Sequence, residues 1–301
     1  MILNPYKKIR KSYISIQNNL YSIENRIIAL QQALARVESR QLDSLKSKDI
    51  KDYEFKVFSQ WGEDGIIQYL LKKVKIKNKI FVEFGVEDYL ESNTRYLLTN
   101  DNWSGIVFDG NEENINAIRN HDLYWRHNLK AEHAFIDKIN INRLLTKNGI
   151  KGNIGLLSID IDGNDYWIWE AIDVIQPTIV VIEFNSRLGD TKAITVPYKN
   201  DFDRSKAHPS MIYFGASLAA LYKLGNKKGY DLVGCNSAGV NAFFVRRDLR
   251  PKSMPKLTPK AAFVRGEFRE ARGANGEMNY LNKKEEEKLL EKLPFVRIDG
   301  K

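Results

Sequence analysis

One cysteine, Cys235, is all the thiol chemistry this 301-residue chain carries. No internal disulfide can form, and its place in a predicted strand makes it a small buried hydrophobe rather than a nucleophile. Long apolar runs are missing too. None approaches the ~18 uninterrupted residues that would span a bilayer, and the charged, Asn-rich start lacks the apolar centre of a secretory signal. A cytoplasmic protein without a transmembrane segment is expected. The phosphate-cradling G-x-G-x-x-G loop is absent, which disfavours a nicotinamide-dependent reductase. No long-period repeat is found, and a nucleic-acid enzyme would more often carry a basic, aromatic-interleaved groove around its site than a slightly acidic body.

What is present begins with charge. The formal net charge is +9, unevenly spread. Residues 1–48 carry 9 Lys and Arg against 3 acids, residues 49–245 carry 23 against 26, and residues 246–301 carry 15 against 9. The central body is slightly acidic, so the basic ends read as solvated surface or as contacts to anionic partners, and no nucleic acid is expected.

Ile9, Ile16, Ile23, Leu30 and Val37 recur every seven residues, with Tyr13, Leu20, Ile27 and Leu34 four residues after the first four. That stripe, free of Gly and Pro, predicts a coiled-coil helix over residues 1–48 and self-association as a dimer or trimer. An amphipathic helix folded onto its own domain is the competing reading. A charged hinge follows, and Ser59 is the expected cap of the next helix. The main domain is placed at 52–250, and a basic extension at 251–301 contains a short helix over "KKEEEKLLEKL" that Pro294 ends.

Between these limits the apolar runs end in polar residues at regular intervals. "KIFVEFGVED" ends at Glu83 and Gly85, and "WSGIVFDGN" ends at Asp109, 24 residues after Gly85. That separation fits one strand-helix-strand unit. A third strand is placed at "AEHAFID", and "IGLLSIDIDGND" and "PTIVVIEFN" supply two more. "YDLVGCNS" and "NAFFVRRD", joined by a short Gly-containing turn, predict an antiparallel hairpin. The expected fold is therefore α/β, a mostly parallel Rossmann-like sheet with an antiparallel terminal hairpin strand and an N-terminal coiled-coil helix.

Together, "SQWGEDG", "FVEFGVED", "SNTRYLL", "WSGIVFDGN", "LLSIDIDGNDYWIWEAI", "VVIEFN" and the long run from "FGASLAALYKLG" to "NAFFVRRD" resemble an FkbM-like group of bacterial class I S-adenosylmethionine-dependent methyltransferases associated with surface glycans and natural products. The resemblance covers roughly residues 55–248. It implies S-adenosylmethionine as cofactor and Gln60, Glu83, Gly85, Glu87, Asn93, Asp109, Gly110, Ile136, Asp137 and Asp160 as the residues around it. In that site Glu83 suits the cationic amino group of methionine, and Asp109 suits a ribose diol. Gly110 leaves room for the sugar, while Ile136 and Asp137 would meet the adenine. The chain departs from the usual loop of two or three glycines, because Val86, Glu87, Asp88 and Tyr89 follow Gly85; Glu87 or Asn93 would then contact the methionine end. Glu83 and Asp109 are alternatively solvated strand-end carboxylates, and Asn93 a helix cap.

Asp160, Asp162 and Asp165 follow the fourth strand, and Glu183 and Asn185 follow the fifth. Converging carboxylates repel, and a hard cation relieves this through oxygen ligands. Asp160, Asp162, Glu183 and Asn185 are accordingly candidate ligands of Mg²⁺, an arrangement similar in kind to that of catechol O-methyltransferase-like enzymes. The competing reading makes "DGND" a turn that caps the following helix. For removing the acceptor's proton, His208 and Asp160 are the candidate catalytic groups, with a metal as the alternative activator. The resemblance thus implies an O-methyltransferase acting on a sugar hydroxyl of a surface polysaccharide or its precursor. The alternative is a non-catalytic assembly subunit oligomerised by its coiled coil.

Overall fold

The computed structural model describes residues 5–298, which divide into two compact units meeting between Leu45 and Lys46. The first unit is helix α1, Pro5–Leu42, with 38 residues, about 57 Å at ~1.5 Å per residue. Its one proline lies in the first turn, where the missing N–H costs nothing, and Arg40 in the last turn complements the helix dipole. The nine side chains of the seven-residue stripe are all exposed, between 47% and 69%.

The second unit starts with a 3₁₀ turn, Ile50–Tyr53, and helix α2, Glu63–Lys73. Ser59 does not cap α2. The cap is Gly62, in a left-handed conformation at φ 97°, and Ser59 instead joins the N–H groups of Val57 and Phe58 around the buried Asp64 carboxylate. Then come β1 (Ile80–Phe84), α3 (Arg95–Thr99), β2 (Ser104–Asp109), α4 (Glu112–Asn120), α5 (Asp122–Arg126) and β3 (Leu129–His133). They continue as α6 (Ile141–Lys147), β4 (Gly152–Ile159), α7 (Asp165–Ala171), β5 (Ile175–Glu183), β6 (Ile194–Thr195), α8 (Arg204–Ala207) and α9 (Leu218–Lys228). The hairpin β7 (Tyr230–Cys235) and β8 (Asn241–Arg246) precedes α10 (Pro259–Ala262), α11 (Lys283–Leu290) and β9 (Val296–Arg297).

Seven strands form one sheet in the order β3-β2-β1-β4-β5-β8-β7. The β1, β2, β3, β4 and β5 pairings are parallel, and β8 runs antiparallel to both β5 and β7. This is the mostly parallel, Rossmann-like sheet with an antiparallel terminal hairpin that the sequence predicts. Its strands are buried on both faces: Val82, Phe84, Val180 and Ile182 pack on one side, Phe81, Ile179 and Val181 on the other, as the two-residue period of a strand requires. The third strand lies earlier than the run "AEHAFID" suggests. Pairing with β2 ends at His133, and the chain leaves the sheet at Ala134 through one last bond to the Asp109 carbonyl.

The segment after residue 250 is no loose extension. Leu257 bonds Leu232, Gly266 bonds the Ser186 hydroxyl, Arg272 bonds Ser210, and β9 pairs antiparallel with β6. Helix α11 opens with a capping box made by Asn282 and Glu285. Its Leu290 joins Leu188, Val196, Ile212, Tyr213 and Ala271 in a small separate core.

Candidate active site

Strand order reverses between β1 and β4, and in an open α/β sheet the crevice at that reversal is where ligands bind. The carboxyl ends of β1, β2, β4 and β5 open there onto a cavity of about 610 Å³.

Glu83, at the end of β1, is buried. Its Oε1 accepts from the Asn93 N–H, and its Oε2 accepts from the Ser92 hydroxyl, the Thr94 hydroxyl and the Thr94 N–H. Three of the four bonds crowd Oε2, so Oε1, with one donor, keeps about one lone-pair site, and Glu83 also lines the cavity. Burial still raises its proton affinity above the ordinary glutamate value. Glu83 therefore holds the loop between β1 and α3 in place. Asn93, which lines the cavity, donates its side-chain amide to the Ser158 hydroxyl, and the cap of α3 is Thr94.

That loop is kinked at Gly85 (φ 72°), Glu87 (φ 47°) and Tyr89 (φ 65°). Left-handed conformations at the two non-glycine positions cost free energy and cluster at functional sites. Gly85 is required by the neighbouring strand: a Cβ there would stand 1.6 Å from the Asp160 carbonyl oxygen. At Gly110 the nearest atom to an added Cβ is the Phe135 ring, 3.4 Å away, so this glycine leaves the cavity side open.

Asp109 ends β2 with its side chain in the cavity wall. Its Oδ2 accepts from the Glu87 N–H at 2.8 Å, and its Oδ1 accepts from the Asn111 N–H at 2.8 Å and the Asn114 amide at 3.0 Å. Three bonds leave about one lone-pair site. Beyond β3, Ile136 lines the cavity together with Ala134 and the half-exposed Phe135. Asp137 does not line it. Its Oδ1 accepts from the Ile139 and Asn140 N–H groups and shapes the turn into α6.

The acidic cluster forms with a different membership from the expected one. Asp160, Asp165 and Glu183 bring ligand atoms within 4.8 Å of one another. Asp162, held in a left-handed turn at φ 55°, points its carboxylate to Arg204 at 2.9 Å. Asn185 is turned into the protein, where its amide donates to the Ile212 and Phe214 carbonyls and its oxygen caps a 3₁₀ turn. Asp165 spends one lone pair of each oxygen on the Ile161 and Gly163 N–H groups, and burial pushes it up to about 6. Burial, followed by repulsion from neighbouring acids, also raises Asp160 and Glu183 well above ordinary carboxylates. No protein donor reaches Glu183 Oε2.

His208 is not in the cavity wall. It ends α8, and its Nδ1 is engaged by the Ser210 hydroxyl and N–H. In its place the insertion after β5 supplies Arg204, whose guanidinium lies 3.8 Å over the Phe214 ring and is tied to Asp162, to Glu270 at 2.9 Å and to the Met211 carbonyl. The rim near Gln60 is Trp61 stacked on Phe268, with ring centroids 5.3 Å apart and planes at 24°. Phe268 and Glu270 come from the C-terminal segment, and Arg187, with its charge over Phe268, joins Glu270 to the half of the chain that carries β5. Trp61, Asn164, Arg204, Asn241, Phe268 and Glu270 are among the wall residues that sequence reasoning misses. Asn164 and Asn241 sit inside quoted motifs, but nothing in the tail's pattern marks Phe268 or Glu270.

No protein-family model and no curated protein matches the sequence. Among solved structures the chain is similar to the N-terminal domain of EvdMO1 with SAH bound, at 11% identity and a TM-score of 0.41, covering 70% of this chain and 94% of that one. It is similar to an S-adenosylmethionine-dependent methyltransferase from Clostridium acetobutylicum ATCC 824 at 11% identity and 0.39, covering 61% and 89%. An O-methyltransferase from Bacillus cereus in complex with SAH matches at 11% and 0.38, covering 71% and 88%.

Proposed function

We propose that this chain is an S-adenosylmethionine-dependent O-methyltransferase acting on a sugar hydroxyl of a glycan or glycan precursor. The observation that carries the reading is the cavity at the β1/β4 reversal, polar and open at Gly110 on its β2 side and acidic on its β5 side. Asp109 accepts one ribose hydroxyl beside its three protein donors, and Phe135 and Ile136 flank the adenine. Glu83 spends most of its lone pairs on its own loop, so Gln60, Glu87 and Asn93 join it as the polar side chains for the methionine end. When bound, the cofactor supplies an electrophilic methyl on a sulfonium. The protein aligns the acceptor hydroxyl for in-line attack and takes its proton. Asp160 is the base in this reading, because it lies in the cavity wall with raised proton affinity, whereas the His208 ring is engaged elsewhere.

Calorimetry tests the cofactor assignment. S-adenosylmethionine and its demethylated product should bind and NAD should not. Asp109→Ala should lose about 1.5–3 kcal/mol of that affinity through its charged hydrogen bonds; unchanged affinity in the variant removes Asp109 from the site.

A second reading, Mg²⁺ at the acidic cluster, is favoured by the approach of Asp160, Asp165 and Glu183. Such an ion is commonly held by one or two carboxylates plus waters, and it would lower the acceptor's pKa without holding the adenosyl group. Chelation should then abolish transfer, restore it on Mg²⁺ addition and leave cofactor binding intact. Activity that persists in chelator returns proton removal to Asp160.

A further inference from the structure

Three acceptor oxygens in the cavity wall are buried and reached by no protein donor: Glu183 Oε2, Asn164 Oδ1 and Asn241 Oδ1. Their residues are 9%, 3% and 5% exposed. The orientation of both amides is fixed by what their nitrogens touch. Asn164 Nδ2 donates to the Lys199 carbonyl at 2.7 Å, and Asn241 Nδ2 donates to the Glu63 carboxylate at 2.8 Å. Both partners only accept, so the amide oxygens must face the other way. Glu183 and Asn241 are directly opposed in the antiparallel β5/β8 pair, which puts their side chains on the same face of the sheet. These groups belong to the β4, β5 and β8 end of the cavity, away from Gly110 and Asp109.

Charge points the same way. Eight carboxylates line the cavity, and among the described residues Arg204 is the only basic side chain that does. Its guanidinium is already shared between Asp162 and Glu270. Buried acceptors without donors are costly, and a buried carboxylate without a cation more so. A hydroxyl brings one donor and two lone pairs, whereas an ammonium brings three donors, no lone pair and a charge.

Resting on the O-methyltransferase reading, we infer that the acceptor is an amino sugar with a free, protonated amine, its ammonium taken by Glu183, Asn164 and Asn241. This arrangement also sets which atom is methylated. A protonated nitrogen has no lone pair, so a neighbouring hydroxyl oxygen forms the new C–O bond. The S–C bond breaks with its electron pair going to sulfur, and the hydroxyl proton passes to Asp160. Acceptors carrying phosphate or carboxylate at this end are repelled.

The test uses the full chain saturated with SAH at neutral pH. Its probes are aminohexosides bearing the amine at each ring position, each paired with its N-acetyl and its hydroxy counterpart. Calorimetry should find at least one free amine binding about tenfold or more tighter than both counterparts, as a charge-assisted bond provides. That preference should collapse in Glu183→Gln and shrink in Asn164→Ala, both checked for an unchanged circular dichroism spectrum. Three results overturn the inference: no amine binding, equal binding of the acetamide or hydroxy partner, or a preference that survives Glu183→Gln. Binding that appears only with added Mg²⁺, and equally for all probes, also overturns it in favour of a metal. A chain that prefers amines yet fails to bind SAH sinks the transferase reading and leaves the amine site standing.

Discussion

At Gly85 the backbone of one strand end presses on that of another, so a side chain there would collide with the Asp160 carbonyl. The glycine exists to let β1 and β4 converge, which carries the β2-side wall and the acidic wall to one cavity. Across that cavity, Glu183 keeps an oxygen that no protein donor reaches. Its proton affinity is raised by burial first and then by Asp160, Asp162 and Asp165, so the folded chain binds a proton there that the unfolded chain releases at lower pH. Folded stability is therefore lost as pH rises from the ordinary glutamate value of 4.5 through the raised folded one. Replacing the acid by its neutral isostere, Glu183→Gln, should raise the ligand-free melting temperature little near pH 4 and most at pH 8. Thermal denaturation across that range would show the two curves diverging with pH; parallel curves would mean that Glu183 carries no such burden.

Among the elements that build the walls beyond the strands are the loop between β1 and α3 and the segment after residue 250. The loop sits where an apolar run meets Glu83 and Gly85, so its place was legible. Its three left-handed residues and the tethering of Glu83 by its own loop were not, because they depend on Ser92 and Thr94 folding back. The strands were readable wherever an apolar run ended in a polar residue at the sheet edge. "AEHAFID" misled because Phe135 and Ile136 prolong the apolar run into a cavity wall. The candidate ligands were chosen by their positions after strands, but a left-handed turn at Asp162 and an inward-facing Asn185 changed the set. The C-terminal wall has no period to read. It is held by contacts such as Arg187 to Glu270 and Glu286, between residues remote in sequence. Phe268→Ala removes half of the stacked pair at the rim. It should raise the acceptor KM roughly two- to tenfold, given ~0.5–1.5 kcal/mol for an aromatic pair beyond its buried area, and leave SAH affinity unchanged. Steady-state kinetics with calorimetry separates the two, and a loss confined to SAH binding would move Phe268 to the cofactor side.

For the molecule as a whole, the two units invite separate treatment. The second contains every strand of both sheets and all of the cavity. Deleting residues 1–45 should leave it folded with its melting transition intact. The exposed stripe of α1 is proposed to pair with a second copy, since β-branched residues at one heptad position with Leu or Ile at the other favour helix winding; the truncated chain should then run as a smaller oligomer in light scattering. An unchanged oligomer would remove α1 as the joining element. A rod about 57 Å long that joins copies also joins their cavities. On a polymer that repeats its reactive unit, the first cavity to bind holds its neighbours close to further units, so effective concentration replaces single-site affinity as the quantity that sets occupancy. The full chain and the truncated one should then work equally well on a single sugar unit and part company on the polymer, where avidity is available only to the joined form.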